Sequence, residues 1–166
     1  MVRKVSFVAA LLFLVSFVAP TRANAQDKIE LYGGYSYFNL RNAPYGSNLN
    51  GFILSGEYNF APFLGGVAEF GGDYGGGQSL ETYMFGPQVS FPARISPFAQ
   101  FLVGGAHYDA PGYGQTSFAT SLGFGINAKI LPAISWRIVE GDWLTTRFGG
   151  TTQNNARIST GIVFQF

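Results

Sequence analysis

Ala156-Arg157-Ile158-Ser159-Thr160-Gly161-Ile162-Val163-Phe164-Gln165-Phe166 closes the chain. Its even positions carry Ala, Ile, Thr, Ile, Phe and Phe, and its odd positions carry Arg, Ser, Gly, Val and Gln. A period of two is the side-chain period of a strand, so the segment presents one apolar face and one largely polar or small face. Alternation alone does not say which face is wet. The last residue tilts the reading. An aromatic end without a polar tail would fray into water in a soluble protein. In a membrane barrel it meets lipid while the final strand closes on the first.

The same alternation recurs upstream. Strands are predicted over 29–40, 52–60, 64–74, 80–91, 98–108, 116–127 and 133–144, with 156–166 as the eighth. In the second, Phe52, Leu54, Gly56, Tyr58 and Phe60 share a face opposite Ile53, Ser55, Glu57 and Asn59. The fourth contains Pro87, which cannot donate a ladder bond, so a bulge or break is expected there. The fifth turns Phe98 and Leu102 inward if Phe101 and Val103 look out. The seventh places Ile134, Trp136 and Ile138 outward and Ser135 and Arg137 inward. Three connections (61–63, 92–97 and 128–132) are short and contain Pro. Four (41–51, 75–79, 109–114 and 145–155) are polar and rich in Gly or Asn. Short turns alternating with longer loops are the asymmetry of an outer-membrane barrel, and an even strand count brings both termini to one side.

The N-terminus and the composition agree. Met1-Val2-Arg3-Lys4 precedes an apolar run from Val5 to Val18, and Ala23-Asn24-Ala25 follows. A charged start, a short apolar core and a small-x-small end predict a signal peptide over residues 1–25, cleaved after Ala25. The run is shorter than the roughly 20 residues a spanning helix needs. Residues 26–166 then form one domain. Losing Arg3, Lys4 and Arg22 from 10 basic residues leaves seven against nine acidic ones, a formal net charge of −2. No basic surface points to nucleic acid. There is no Cys, which excludes a disulfide-stapled domain and a thiolate metal site. All 23 Gly and 9 Tyr lie beyond the predicted signal. High aromatic content with low net charge argues against disorder.

The ending Ser159-Thr160-Gly161-Ile162-Val163-Phe164-Gln165-Phe166 resembles the C-terminal signature of bacterial outer-membrane barrels, in a polar residue, a Gly two places on, and apolar residues at the third-last and last positions. The resemblance implies that Ser159, Gly161, Phe164 and Phe166 present this strand to the outer-membrane insertion machinery. Residues 136–144 (Trp136-Arg137-Ile138-Val139-Glu140-Gly141-Asp142-Trp143-Leu144) are similar to the penultimate strand of such barrels. Nearly the whole mature chain resembles the small eight-stranded family that includes the OmpA-type membrane domain and the OmpX type. That implies an all-β, eight-stranded, antiparallel, up-and-down transmembrane barrel in the outer membrane, monomeric and surrounded by lipid. The sequence ends with the barrel, so the cell-wall anchoring of full-length OmpA-type proteins is not carried over.

An eight-stranded lumen is just wide enough for side chains to fill. Glu30, Glu57, Glu69, Asp73, Arg137 and Arg157 all fall on the inward set, where charges must be paired or wet. A structural ion-pair network that plugs the lumen is expected of them. Glu30, Glu57 and Glu69 are expected toward the periplasmic half with Arg137 near them, and Asp73 and Arg157 toward the outside. The only His, His107, stands beside Tyr108 and Asp109 with no Ser close behind it, so no catalytic set is evident and a surface His is expected. One His and no Cys make a transition-metal site improbable. Gly75-Gly76-Gly77 is followed by neither Lys nor a helix and is no phosphate loop. Outward Tyr and Trp are explained by interfacial girdles. The expectation is a non-enzymatic barrel with no cofactor and a structural or surface-contact role. A narrow channel is the first alternative. A soluble calycin-like ligand carrier, with the apolar face turned inward, is the second.

Overall fold

The computed structural model describes residues 29–39, 48–148 and 151–166. Eight strands follow one another: β1 (Ile29–Asn39), β2 (Asn48–Ala61), β3 (Leu64–Gly75), β4 (Gln78–Ser90), β5 (Ile95–Ala110), β6 (Tyr113–Leu131), β7 (Ile134–Phe148) and β8 (Thr151–Gln165). They form one closed antiparallel barrel in chain order, and β8 returns to β1 from Glu30↔Gln165 to Asn39↔Ala156. Phe166 and Ile29 seal the seam with reciprocal backbone hydrogen bonds of 2.9 and 3.2 Å. Closure removes the sheet edge, which is what a strand-built structure needs before it can sit in hydrocarbon. The eight-stranded up-and-down barrel expected from the alternation is the fold observed. The predicted signal peptide and residues 41–47 of the first loop lie outside the described residues.

The two faces are sorted as the alternation predicts. Phe60 and Phe85 are 69% and 64% exposed on the outer wall, whereas Arg157 and Asp73 are 1% and 0% exposed inside. Phe52, Phe124, Ile162 and Phe164 all look outward, and Arg137 is buried. A calycin-like carrier requires the reverse. Neighbouring outward aromatics pack edge against face, as Tyr58 does on Phe60 with ring centroids 5.4 Å apart. Tyr108 is the exception among the predicted girdle residues: it packs against the inner apolar cluster.

Both β5 and β6 are longer than predicted, and the polar connections are shorter. The segments 75–79 and 109–114 close as two-residue hairpins, with Gly75↔Gln78 and Ala110↔Tyr113 as the last pairs. Gly76 and Gly77 have φ of 60° and 75°, the two positive values a type I′ turn needs. Most of 145–155 is also strand, paired from Leu144↔Asn155 to Phe148↔Thr151. The short-and-long alternation of connections is therefore not observed at these hairpins. Polar and glycine residues alternate as well as apolar ones, and ladder bonds form in water as in lipid, so the strands run on past the apolar belt. At 19 residues β6 far exceeds the 9–11 a spanning strand requires. At Pro87 the β4–β5 ladder lacks the pairs at Gly86 and Pro87, but its register holds from Phe85↔Val103 to Gln88↔Gln100. The result is a gap without a bulge.

Candidate functional site

The barrel interior holds the buried charges. Ile29, the first described residue, and Phe166 lie at one end, the terminal end, together with the turns at 62–63, 91–94 and 132–133; the opposite end is the far end. A β-bulge in β7 decides which charges enter. Against β8 the register jumps from Arg137↔Gly161 to Glu140↔Ser159, so Ile138 and Val139 together face Thr160. Both point outward and are exposed. The Thr160 hydroxyl donates to the Arg137 carbonyl at 3.0 Å, and the Trp136 indole N–H donates to Thr160 Oγ1 at 3.2 Å. One extra residue reverses the phase of the strand. Glu140, Asp142, Leu144 and Thr146 consequently turn inward and are buried.

Arg157 occupies the middle of this interior. Its Nη2 bonds Glu69 Oε1 and lies 2.9 Å from Asp142 Oδ2, its Nε donates to Asp142 Oδ2 at 3.0 Å, and its Nη1 reaches Thr82 Oγ1 at 3.5 Å. Gly71 leaves the room it needs, since a Cβ there would lie 2.8 Å from Arg157 Nη1. Arg137 is held separately. Its Nη1 pairs with Glu140 Oε2 at 2.9 Å and its Nε donates to Asn127 Oδ1 at 3.0 Å. Its guanidinium is sandwiched between the rings of Tyr32 and Phe98, 4.0 and 4.3 Å from their centroids. Gln100 Nε2 donates to Glu140 Oε1 at 2.6 Å and lies 3.5 Å from both Glu69 Oε2 and Asp142 Oδ1, joining the two clusters. The Ser159 hydroxyl donates to Glu140 Oε2 and accepts from the Tyr32 hydroxyl, each at 3.1 Å.

The six predicted charges therefore sit in several arrangements. Glu69 and Arg157 form an ion pair. Arg137 takes Glu140, a residue outside the predicted set. Asp73 Oδ1 accepts the Ser36 hydroxyl, Glu57 Oε2 accepts Gln88 Nε2 at 2.6 Å, and Glu30 Oε1 accepts Gln165 Nε2 at 3.0 Å. Glu140, Asp142 and Gln100 were missed. Strict alternation from Arg137 points both acids at lipid, and only that implausibility signals a phase change in the sequence.

Toward the far end apolar side chains fill part of the interior, beside the buried Ser36, Asp73, Thr146 and Asn155. Phe38, Leu49, Leu80, Leu102 and Leu144 are buried in one cluster with Val67 and Met84. Apolar packing thus stands beyond the charged layer without displacing every polar group. Among the residues of the predicted terminal signal, Ser159 serves the Glu140 cluster, Gly161 pairs with Gly34 across the seam, and Phe164 and Phe166 face outward. His107 lies on the outer face, its Nδ1 2.7 Å from Thr116 Oγ1.

No family model matches the chain, and no curated protein matches it in sequence. Solved structures do. Neisserial surface protein A superposes with a TM-score of 0.64 at 13% identity, over 86% of this chain and 100% of that one. The attachment invasion locus protein Ail of Yersinia pestis gives 0.55 at 14% identity, over 84% and 99%. The N-terminal barrel domain of Pseudomonas aeruginosa OprF gives 0.55 at 14% identity, over 85% and 98%.

Proposed function

We propose that this chain, which has the fold of the small eight-stranded outer-membrane β-barrels, is a non-enzymatic outer-membrane protein that works at its surface rather than through its lumen. It is exported by the signal peptide over residues 1–25 and placed in lipid by the barrel insertion machinery as a monomer. Its terminal end faces the periplasm. The side chains of the two interior layers plug the lumen.

The observation that carries this reading is the occupancy of the interior. The Arg157–Glu69–Asp142 layer and the apolar layer around Phe38, Leu49 and Leu102 stand in series across a cylinder that side chains can fill. An ion entering from either end would have to displace buried pairs or cross apolar packing. The far end supports surface contact. The ladder of β6 with β7 begins only at Ala119↔Thr146, and the Arg147 N–H donates to Ser117 Oγ at 3.0 Å just beyond it, so the backbone of Tyr113 to Thr116 is laddered to β5 alone. A strand flank free on one side is where an extended segment of another protein can add. Two of the similar proteins are named for surface roles, as a surface protein and an attachment protein.

Planar-bilayer recording tests the plug. The refolded protein is expected to give no steady conductance. Steady ohmic conductance from the unaltered protein overturns the reading in favour of a narrow channel.

A further inference from the structure

We propose that the terminal mouth of the lumen holds a hard divalent cation, Ca²⁺ or Mg²⁺, on Glu57 Oε1 and Asn59 Oδ1, with water completing the shell. Glu57 is more than nine-tenths buried, and its two carboxylate oxygens are treated differently. Oε2 accepts Gln88 Nε2 at 2.6 Å, whereas Oε1 is buried and meets no donor among the described residues. A buried carboxylate oxygen without a partner is costly, and it turns toward whatever cation can reach it.

Asn59 is buried beside it on the same inner face. A Cβ on Gly65 would lie 2.3 Å from Glu57 Oε1 and 3.0 Å from Asn59 Oδ1, so both oxygens overlook the same bare glycine. Glu30 stands directly opposite Glu57 in the β1–β2 register on the same inner face, and it is only half-buried at the open end. Two acids paired across a ladder repel, and a divalent ion between them reverses the sign. Arg137, the cation that the sequence assigns to this region, acts on Glu57 only through space: its Nη1 and Nε serve Glu140 and Asn127 and its faces are covered by Tyr32 and Phe98. The site opens toward the terminal end, on the opposite side of the charged layer from Phe38, Leu49 and Leu80.

The test is calorimetric titration of the refolded, detergent-solubilised barrel with CaCl₂ and with MgCl₂. Folding is checked by the heat-dependent gel shift. Saturable one-to-one uptake of one of them is expected, with a dissociation constant on the order of 10⁻⁴–10⁻³ M, as for sites with few protein ligands. Glu57→Gln should weaken it at least about tenfold. Gly65→Ala should do the same by pushing the carboxylate aside while leaving the barrel folded. Absence of saturable uptake by the unaltered barrel up to about 10 mM, beyond any range of functional Ca²⁺ sites, overturns the proposal. So does uptake that survives unchanged in either folded variant.

Discussion

Replacing Arg157 by Met tests the charged layer most directly. Arg157 is 1% exposed and meets two carboxylates, Glu69 and Asp142, with no water-facing route for either. Met keeps most of the volume and removes the charge, so Glu69 and Asp142 are left facing each other beside Gly71 and Gly123. Breaking a buried pair by removing one partner costs roughly 3–5 kcal/mol, which is about two to three and a half powers of ten in the unfolding constant. The cost comes from stranded acids rather than from lost attraction. It follows that Arg157→Met combined with Glu69→Leu and Asp142→Leu should recover most of the loss, because a packed apolar replacement of an entire buried pair is often neutral. Equilibrium unfolding in denaturant, with the barrel in lipid vesicles and the fluorescence of the outward Trp136 and Trp143 as signal, gives both values. A single-variant loss under about 1 kcal/mol, the size of an exposed pair, would refute the reasoning. A triple variant no more stable than the single one would refute it equally.

Two further outcomes are expected. Phe85→Arg, at a 64% exposed position in the middle of β4, should cost about 2–4 kcal/mol in lipid because the side chain faces hydrocarbon; the same unfolding assay should show a change within about 0.5 kcal/mol if the outer wall is instead wet. Deleting Val139 should keep the heat-modifiable folded form, since removing the one extra residue leaves Arg137, Glu140 and Asp142 in simple alternation on the inner face, while deleting Ile138 and Val139 together should abolish it by turning Glu140 and Asp142 outward; a folded double deletion would show that the bulge does not set the strand's phase.

How much was legible in the sequence varies along the chain for physical reasons. Phe98 and Leu102, apolar residues that the alternation turns to the same side as the charges, do point inward, one against Arg137 and the other into the apolar cluster. The alternation was right, and the inward set it defines is mixed, carrying apolar side chains as well as charges. Loop ends were misplaced because Asp109, Gly114, Thr145 and Asn154 have turn chemistry yet sit in paired strands. Composition reports what a residue tolerates, and cross-strand pairing decides what it does.

The sequence by itself determined the class, because a period of two with opposite chemistry on alternate residues permits only a two-faced sheet, and eight such stretches permit closure. It also determined which side of each regular strand is greasy. Tertiary structure alone decided which charges meet. The bulge at Ile138–Val139 brings Glu140 and Asp142 inside, with Asp142 directly opposite Arg157 in the β7–β8 register, and closure of the barrel lays Arg157 of β8 against Glu69 of β3. Partners contributed by strands remote in sequence are set by register and closure, and neither is written in the local pattern of any one strand.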